Sequence, residues 1–279
     1  MVGKTAPARF RLNLEYDGTR YSGWQKQADA RTVQGTLLDA AARLFGTPVD
    51  IQGNGRTDAG VHALNYTAHL EARTDLTPEA ILAGLNELLP RDIVLLRVAR
   101  SSPRFHARHN CIARSYLYRI ATRKTALDRK YVWWPGEQLD LAAMRQAAGL
   151  LTGMHDFASF AEKPELKKST LVLVTLAELR LEGETIVLRL VASHFLWKMI
   201  RRLAGILVEV GQRTLSVAEF ETLLTAGSNL PARCTAPPAG LFFEQAFYHQ
   251  EELETFLAAR HREGPVIGNR RAVITVRAP

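Results

Sequence analysis

The residue types most typical of a reactive site occur in one glycine-rich segment, 53–63, between two stretches that read as strands. Three glycines fall within eight consecutive positions, which indicates a tight backbone path or the close approach of a ligand. Two of them have the spacing of a phosphate-binding loop, but a valine and a histidine follow where that loop requires lysine and then serine or threonine. The segment instead offers one carboxylate, Asp58, two residues after Arg56.

A lone carboxylate beside a cation can attack an electron-poor carbon, stabilise a positive charge that develops there, or remove a proton. The cation favours the ionised form that this chemistry needs. A glycoside hydrolase would require a second acid to protonate its leaving group, and the Asp58 segment contains none. The alternative is structural: Asp58 caps a turn and Arg56 packs beside it, which is common in such loops.

The chain is basic, with 36 Lys and Arg against 28 Asp and Glu and a formal net charge of +8. Between residues 100 and 130, nine basic residues stand against one acidic residue, so this stretch alone carries an excess of eight. Such clustering indicates contact with a phosphate backbone, and a solvated surface is the alternative. The basic residues are Arg100, Arg104, Arg108, Arg114, Arg119, Arg123, Lys124, Arg129 and Lys130.

Composition excludes several classes of protein. With 47% hydrophobic residues and no polar low-complexity block, most of the 279-residue chain is not intrinsically disordered. No stretch approaches the roughly 18 consecutive apolar residues of a membrane helix, and no secretory signal is recognised, so we expect a cytoplasmic protein without a membrane partner. Two cysteines, Cys111 and Cys234, cannot form a disulfide framework. His106, His109 and Cys111 do not match a zinc-site spacing, so no metal is expected.

Hydrophobic periodicity predicts alternating strands and helices. In the first half, period-two alternation predicts strands, and apolar residues at helical spacing predict helices, one of which begins after the Thr77 cap and first-turn Pro78. The second half repeats this mixture, with a hairpin around Gly183 and a long helix on which Lys198, Arg201 and Arg202 share the polar face. The predicted strands span 10–17, 64–72, 93–98, 114–122, 171–181, 185–192 and 240–247, and the predicted helices span 33–45, 81–89, 139–151 and 194–210, with another from Ser216.

Strands joined by hairpins as well as by helices favour an α+β fold with a mostly antiparallel mixed sheet rather than a doubly wound parallel sheet. Because both halves contain a strand, a long helix and further strands, we expect two similar lobes. They are residues 8–103, which contain the Asp58 segment, and residues 104–250, which contain the basic helix. A basic extension, 251–279, starts with a helical remnant and ends in an arginine-rich tail (Arg270, Arg271 and Arg277).

Five segments, in order along the chain, resemble one known family. They are residues 16–25 with 32–35, the Asp58 segment at 55–63, residues 105–108 with 114–118, residues 195–201, and residues 236–241. Together they resemble the TruA family of tRNA pseudouridine synthases over roughly residues 8 to 250. Five ordered segments are far more specific than any single motif. Arg202 departs from the family pattern, in which asparagine is common at this position.

The resemblance implies that Asp58 is the catalytic aspartate and that Arg201 is the basic residue paired with it. It implies that Tyr116 stacks on the target uracil, and that Arg56 holds the loop or helps to displace the base. It further implies a cleft between the two lobes, a homodimer, no cofactor or metal, and action on uridines 38, 39 and 40 of the tRNA anticodon arm. Core packing is the alternative for Tyr116, because alternate strand residues point inward.

Two other functions stay open at this stage. A non-catalytic RNA-binding protein would keep the basic cleft and bind tRNA with a steep salt dependence. An N-glycosylase would release free uracil. The residues also leave open whether Asp58 attacks C1′, attacks the uracil ring or acts as a base.

Overall fold

The computed structural model describes residues 7–136, 138–162 and 169–262, and their centre is one nine-stranded sheet. Its order is β4-β1-β3-β9-β5-β8-β7-β6, with β2 also paired to β3. Every pairing is antiparallel except that of β3 with β9. The strands are β1 (Ala8–Tyr16), β2 (Asp50–Gly53), β3 (His62–Ala72), β4 (Ile93–Arg100), β5 (Ala113–Ala121), β6 (Gly153–Asp156), β7 (Leu171–Glu182), β8 (Thr185–Ala192) and β9 (Leu241–Phe247).

Two of the helices begin where short-range sequence signals place them. The Thr77 hydroxyl accepts a hydrogen bond from the Ala80 N–H, and Ser216 forms a capping box with Glu219. These contacts satisfy backbone N–H groups that a helix leaves free in its first turn. The helices are α1 (Val33–Phe45), α2 (Pro78–Leu88), α3 (Leu141–Gly149), α4 (Met199–Gly211), α5 (Val217–Leu223), α6 (Leu230–Arg233) and α7 (Gln250–Arg262).

The main core lies on one face of the sheet, under α1 to α5. Alternate residues of β1, from Phe10 to Tyr16, are buried in it, as the period-two pattern predicts. The opposite face carries α7, which packs in a separate small cluster against Val191 and Phe247. Val191 alternates along β8 with Leu190 and Ala192 of the main core, so α7 lies on the far side of the sheet.

The α+β fold with a mostly antiparallel mixed sheet is confirmed. The first half supplies β1 to β4 and the second supplies β5 to β9, and β9 lies between β3 and β5. One edge of β3 is shared, because β9 pairs with its start and β2 with its end. The Asp58 segment joins β2 to β3 and therefore emerges where the two halves of the sheet meet.

Two expectations for the second half were wrong in detail. The helix predicted from residue 194 begins at Met199, because Lys198 takes a left-handed backbone conformation with φ 62°. Arg202 does not share an exposed polar face with Lys198 and Arg201. It is buried, donates to the Ala161 carbonyl at 2.6 Å and forms an ion pair with Glu162, because burial of a guanidinium requires such partners.

Short strands β2 and β6 were not predicted, since four residues give too few alternations to recognise. The helical start of the extension is confirmed by α7, whereas the arginine-rich tail lies outside the described residues. Among the residues described, none of the helices combines the length and apolar character needed to cross a membrane.

Candidate active site

The Asp58 segment is held from both sides by buried aromatic and backbone groups. The Trp24 N–H donates to the Thr57 carbonyl at 3.1 Å, and the Thr57 and Tyr16 hydroxyls are hydrogen-bonded at 2.9 Å. The Tyr66 hydroxyl, which lies in the main core, donates to the Gly55 carbonyl. Tyr16 lies on β1, Tyr66 on β3 and Trp24 in the connection that precedes α1, so the loop has a fixed path although it contains three glycines.

Glycine is needed at two positions around this loop. Gly60 has φ 78°, and a Cβ there would lie 3.0 Å from Cγ of Pro238. Gly23 has φ 91°, and its Cβ would lie 2.5 Å from the Thr57 carbonyl oxygen. Both residues need the left-handed region that glycine adopts without strain, and both are approached closely by other segments. The loop is thus packed between residues 21–24 and the segment that precedes β9.

Both carboxylate oxygens of Asp58 accept hydrogen bonds from residues far away in the sequence. Arg201 Nη1 lies 3.2 Å from Oδ2, and the Trp197 indole N–H donates to Oδ1 at 3.0 Å. Arg201 is fixed by a second bond, from Nε to the Ala236 carbonyl at 2.7 Å. The Asp58 side chain is 23% exposed, so solvent or a ligand can still reach it.

The hydrogen-bond partners of Asp58 argue against the structural alternative, in which it caps a turn. A turn-capping aspartate would direct its oxygens at backbone N–H groups close in sequence. In the described part of the chain, the hydrogen bonds of this carboxylate come instead from side chains 139 and 143 residues away. The structure therefore brings Asp58 and Arg201 together, as the resemblance implied.

Tyr116 lies on β5 in the wall of the same site and is only 8% exposed. Its ring meets Phe195 and Phe243 edge-on, with centroids 5.0 and 5.1 Å away. Burial raises the pKa of the Tyr116 phenol well above its usual value, and nearby Asp58 raises that pKa further while Arg114 opposes it. Tyr116 is therefore a neutral phenol near the carboxylate, and no described residue is hydrogen-bonded to its hydroxyl.

Arg56 is not brought into contact with Asp58. Its side chain is exposed and forms no hydrogen bond or ion pair with any residue that the structure describes. A cation that has no partner among the described residues, two positions before a carboxylate in the sequence, is free to meet an anionic ligand. The roles assigned to Arg56 by the resemblance stay predictions.

Arg114 and Trp197 are site residues that the sequence did not single out. Arg114 donates to the carbonyls of Asn54 at 2.8 Å and Ser193 at 3.2 Å, so it ties the Asp58 loop to the chain that follows β8. In the sequence Arg114 is one of nine basic residues between positions 100 and 130, and its contacts with the Asp58 loop become visible only in the folded structure. Trp197 lies in a segment that resembles the family, but no periodicity marks its indole as a partner of Asp58.

Most of the basic stretch is on the surface. Of its nine basic residues, Arg114 and Arg119 are half-buried and the other seven are exposed. Arg119 lies over the ring of Phe242, with 5.8 Å from the guanidinium carbon to the ring centroid. Exposed arginines and lysines can neutralise phosphates of a nucleic-acid backbone.

The histidines considered as metal ligands pack on one another. The rings of His106 and His109 have centroids 4.2 Å apart, and the Cys111 thiol donates to the Ala113 carbonyl. Burial lowers the pKa of His106, and the neighbouring His109 lowers it further. Across residues 7–136, 138–162 and 169–262 there is no group of three or more His, Cys, Asp or Glu side chains that could hold a metal ion.

The chain is similar in sequence to known proteins. The family described as tRNA pseudouridine synthase matches residues 14–110 and 147–249, which include Asp58, Trp197 and Arg201. A tRNA pseudouridine synthase A from Zymomonas mobilis is 38% identical over 243 residues, which are 86% of this chain and 99% of that protein. One from Methylococcus capsulatus is 36% identical over 87% of this chain and 90% of that protein.

A third relative, the tRNA pseudouridine synthase A of Bartonella bacilliformis, is 39% identical over 86% of this chain and 100% of its own length. Among solved structures, an archaeal box H/ACA sRNP Nop10-Cbf5 complex matches 72% of this chain and 44% of that chain, with 11% identity and a TM-score of 0.34. The family match includes strands from both halves of the sheet together with Asp58, Trp197 and Arg201. The chain therefore belongs to the tRNA pseudouridine synthase family, of the TruA type, whose members are isomerases.

Proposed function

We propose that this protein converts uridine to pseudouridine at positions 38, 39 and 40 of the tRNA anticodon arm. The observation that carries the proposal is the Asp58 carboxylate, half-buried beside Tyr116 and held by Arg201 and Trp197. Family membership supplies the reaction class, and the resemblance of the ordered segments supports the three target positions.

The reaction is an isomerisation in which atoms balance within the nucleotide. The N1–C1′ bond breaks, the uracil rotates, and a C5–C1′ bond forms while C5 loses its proton and N1 gains one. Asp58 supplies a charged oxygen to the reacting nucleotide, whether it attacks C1′, attacks the uracil ring or acts as a base toward an elimination intermediate. Arg201 donates a hydrogen bond to this carboxylate and, being anchored to the Ala236 carbonyl, fixes its direction.

The target nucleotide must leave the stacked arm before Asp58 can reach it. Extrusion costs a few kcal/mol, and stacking of the base on an aromatic ring returns about 1–3 kcal/mol. We assign that ring to Tyr116, and its edge-on contacts with Phe195 and Phe243 support the assignment because they hold the ring in one orientation. Arg56, exposed and without a described partner, is assigned to the phosphate or the space that the flipped base leaves.

The basic surface is assigned to the RNA backbone. Seven exposed cations of the 100–130 stretch flank Tyr116 on both sides along the chain, and phosphate contacts position RNA without reading its sequence. Two similar lobes, 8–103 and 104–250, then hold the arm between them. Resemblance further supports a homodimer in the cytoplasm. Sedimentation analysis of the purified chain tests the oligomeric state directly.

Nucleoside mapping tests the proposed function. Purified protein is incubated with unmodified tRNA, and pseudouridine at positions 38–40 is measured together with tritium released from uracil C5. Asp58→Asn should keep tRNA affinity and lose turnover, because the amide preserves the shape and removes the charge. Asp39→Asn, an exposed aspartate on α1, is the matched control and should be fully active.

Other outcomes distinguish the remaining functions. Free uracil in solution would identify an N-glycosylase. Salt-sensitive tRNA binding by the wild type without any new nucleoside would identify a non-catalytic RNA-binding protein. Undiminished tritium release by Asp58→Asn would remove Asp58 from the reaction.

A further inference from the structure

Trp197 is an exposed aromatic residue beside the proposed catalytic carboxylate. Its side chain is hydrogen-bonded to Asp58 Oδ1 at 3.0 Å although the residue is 54% exposed, unusual for a tryptophan. We propose that Trp197 is a positioning residue that sets the orientation of the Asp58 carboxylate, and that Glu162 and Lys198 hold its indole for this task. The inference rests on the proposed function and deepens its account of the same site.

Trp197 is held at its backbone as well as at its ring. The Glu162 N–H donates to the Trp197 carbonyl at 2.9 Å, and the Lys198 ammonium lies 5.4 Å from the centroid of the indole ring. The Glu162 carboxylate lies 3.5 Å from the same ammonium, so it keeps Lys198 over the ring. An exposed indole with these contacts is not free to rotate.

Arg202 fixes this arrangement from the protein interior. Its guanidinium binds the second oxygen of the Glu162 carboxylate and the Ala161 carbonyl. The carboxylate therefore joins a buried cation, Arg202, to a half-buried one, Lys198, whose side chain is 29% exposed. Asparagine, which the family resemblance leads one to expect at position 202, is too short to form this double contact by the same route.

The backbone at Lys198 places the two donors of Asp58 on the same side. Lys198 has φ 62°, a conformation that residues other than glycine adopt rarely and keep only where surrounding contacts impose it. Trp197 lies just before this turn and Arg201 lies in the first turn of α4, and both side chains donate to the same carboxylate.

Two donors on two oxygens restrict rotation of the carboxylate about its Cβ–Cγ bond. Arg201 alone would fix one oxygen and leave the plane of the group free to tilt. Misplacement of a reacting atom lowers the rate of the chemical step, while contacts with the rest of the RNA are unchanged. Loss of the indole N–H should thus reduce kcat and leave KM for tRNA almost unaltered.

Trp197→Phe tests this, with Trp134→Phe as the matched control, because the Trp134 ring lies beside Lys124 instead. We expect single-turnover pseudouridine formation to fall about 10- to 150-fold in Trp197→Phe, the range for loss of a hydrogen bond to a charged group. KM should change less than about twofold, and Trp134→Phe should react like the wild type. Trp197→His, which restores a ring N–H, should recover part of kcat.

Unchanged kcat in Trp197→Phe would overturn the proposal. So would a loss seen only in tRNA affinity, which would assign the indole to RNA contact. Circular dichroism and thermal unfolding of each variant show that it is folded. Failure of the proposed function is a separate result, because it requires that the wild-type protein itself form no pseudouridine.

Lys198→Gln tests the hold on the indole and leaves the buried Arg202–Glu162 pair intact. Because Lys198 acts through Trp197, its kcat loss should disappear in the Trp197→Phe background, so the double variant should match Trp197→Phe alone. If the fold losses in kcat of the two single variants multiply in the double variant, this part of the proposal is contradicted, because Lys198 then acts independently of the indole.

Discussion

Replacement of Arg201 by methionine probes the contact on which the proposed chemistry depends. The guanidinium joins Asp58 Oδ2 at 3.2 Å to the Ala236 carbonyl at 2.7 Å, and the side chains of Arg201 and Asp58 are 15% and 23% exposed. Methionine keeps most of the side-chain volume and removes both hydrogen bonds. Activity and stability should therefore both fall, for different reasons.

The loss of activity is measured as a change in kcat, and the loss of stability as a change in the free energy of unfolding. A hydrogen bond between charged groups contributes about 1.5–3 kcal/mol, so kcat should fall roughly 10- to 150-fold if the full contact acts in the transition state. The Ala236 carbonyl, in a residue only 1% exposed, would lose its Arg201 donor, which costs about 1–3 kcal/mol of folding free energy. For a chain of this size the melting temperature drops about 2–4 °C per kcal/mol.

Arg201→Lys separates charge from geometry. One ammonium cannot reproduce the planar fork that reaches Asp58 and Ala236 together, so we expect an intermediate kcat and a lower melting temperature than the wild type. The assays are single-turnover tritium release from tRNA labelled at uracil C5, and thermal unfolding. Wild-type rates in Arg201→Met, in folded protein at saturating tRNA, would refute the assignment of Arg201 as the electrostatic partner.

Three further predictions address other parts of the molecule. Tyr116→Phe should retain nearly full activity because the hydroxyl has no described partner, whereas Tyr116→Ala should lose about 1–3 kcal/mol of base stacking, measured as kcat/KM. The double variant Arg129→Gln/Lys130→Gln should bind tRNA with a weaker salt dependence: the slope of the logarithm of the association constant against the logarithm of salt concentration should decrease by about 1 for each phosphate that is no longer neutralised. The control Arg43→Gln changes an exposed residue of α1 and should leave that slope unaltered. Burial lowers the pKa of His69 from 6.5 to about 4, with His106 adding to the effect. In the unfolded chain His69 binds a proton below about pH 6.5, whereas in the native protein it does so only below about pH 4. The free energy of unfolding should therefore decrease as the pH falls from about 6.5 to about 4. Chemical denaturation at a series of pH values should show a smaller decrease for His69→Gln.

Local signals in the sequence predicted most of the secondary structure. Helix α2 follows from the Thr77 cap and Pro78, and the capping box at Ser216 is complete within four residues. Alternation predicted β1 because its inward residues are uniformly apolar. These features depend on neighbours in the chain, so no knowledge of the fold was needed.

Long-range contacts were beyond such reasoning. Glycine density marked the Asp58 loop, but its pairing with Arg201 spans 143 residues and was available only through resemblance. The burial of Arg202 could not be predicted because Glu162, its counter-ion, lies outside the helix to which the periodicity belongs. The insertion of β9 between β3 and β5 likewise depends on the packing of the whole sheet.

The segment that leads into β9 has a consequence for when the protein can become active. Ala236 anchors Arg201, Pro238 packs against Gly60, and the Pro237 carbonyl accepts a hydrogen bond from Tyr118. The Asp58 loop is synthesised early, but it acquires these contacts only after the ribosome has translated the chain through residue 238. A nascent chain that ends before residue 236 carries Asp58, Trp197 and Arg201 but lacks the brace between them. Catalysis should thus switch on abruptly, late in synthesis, and not grow gradually with chain length.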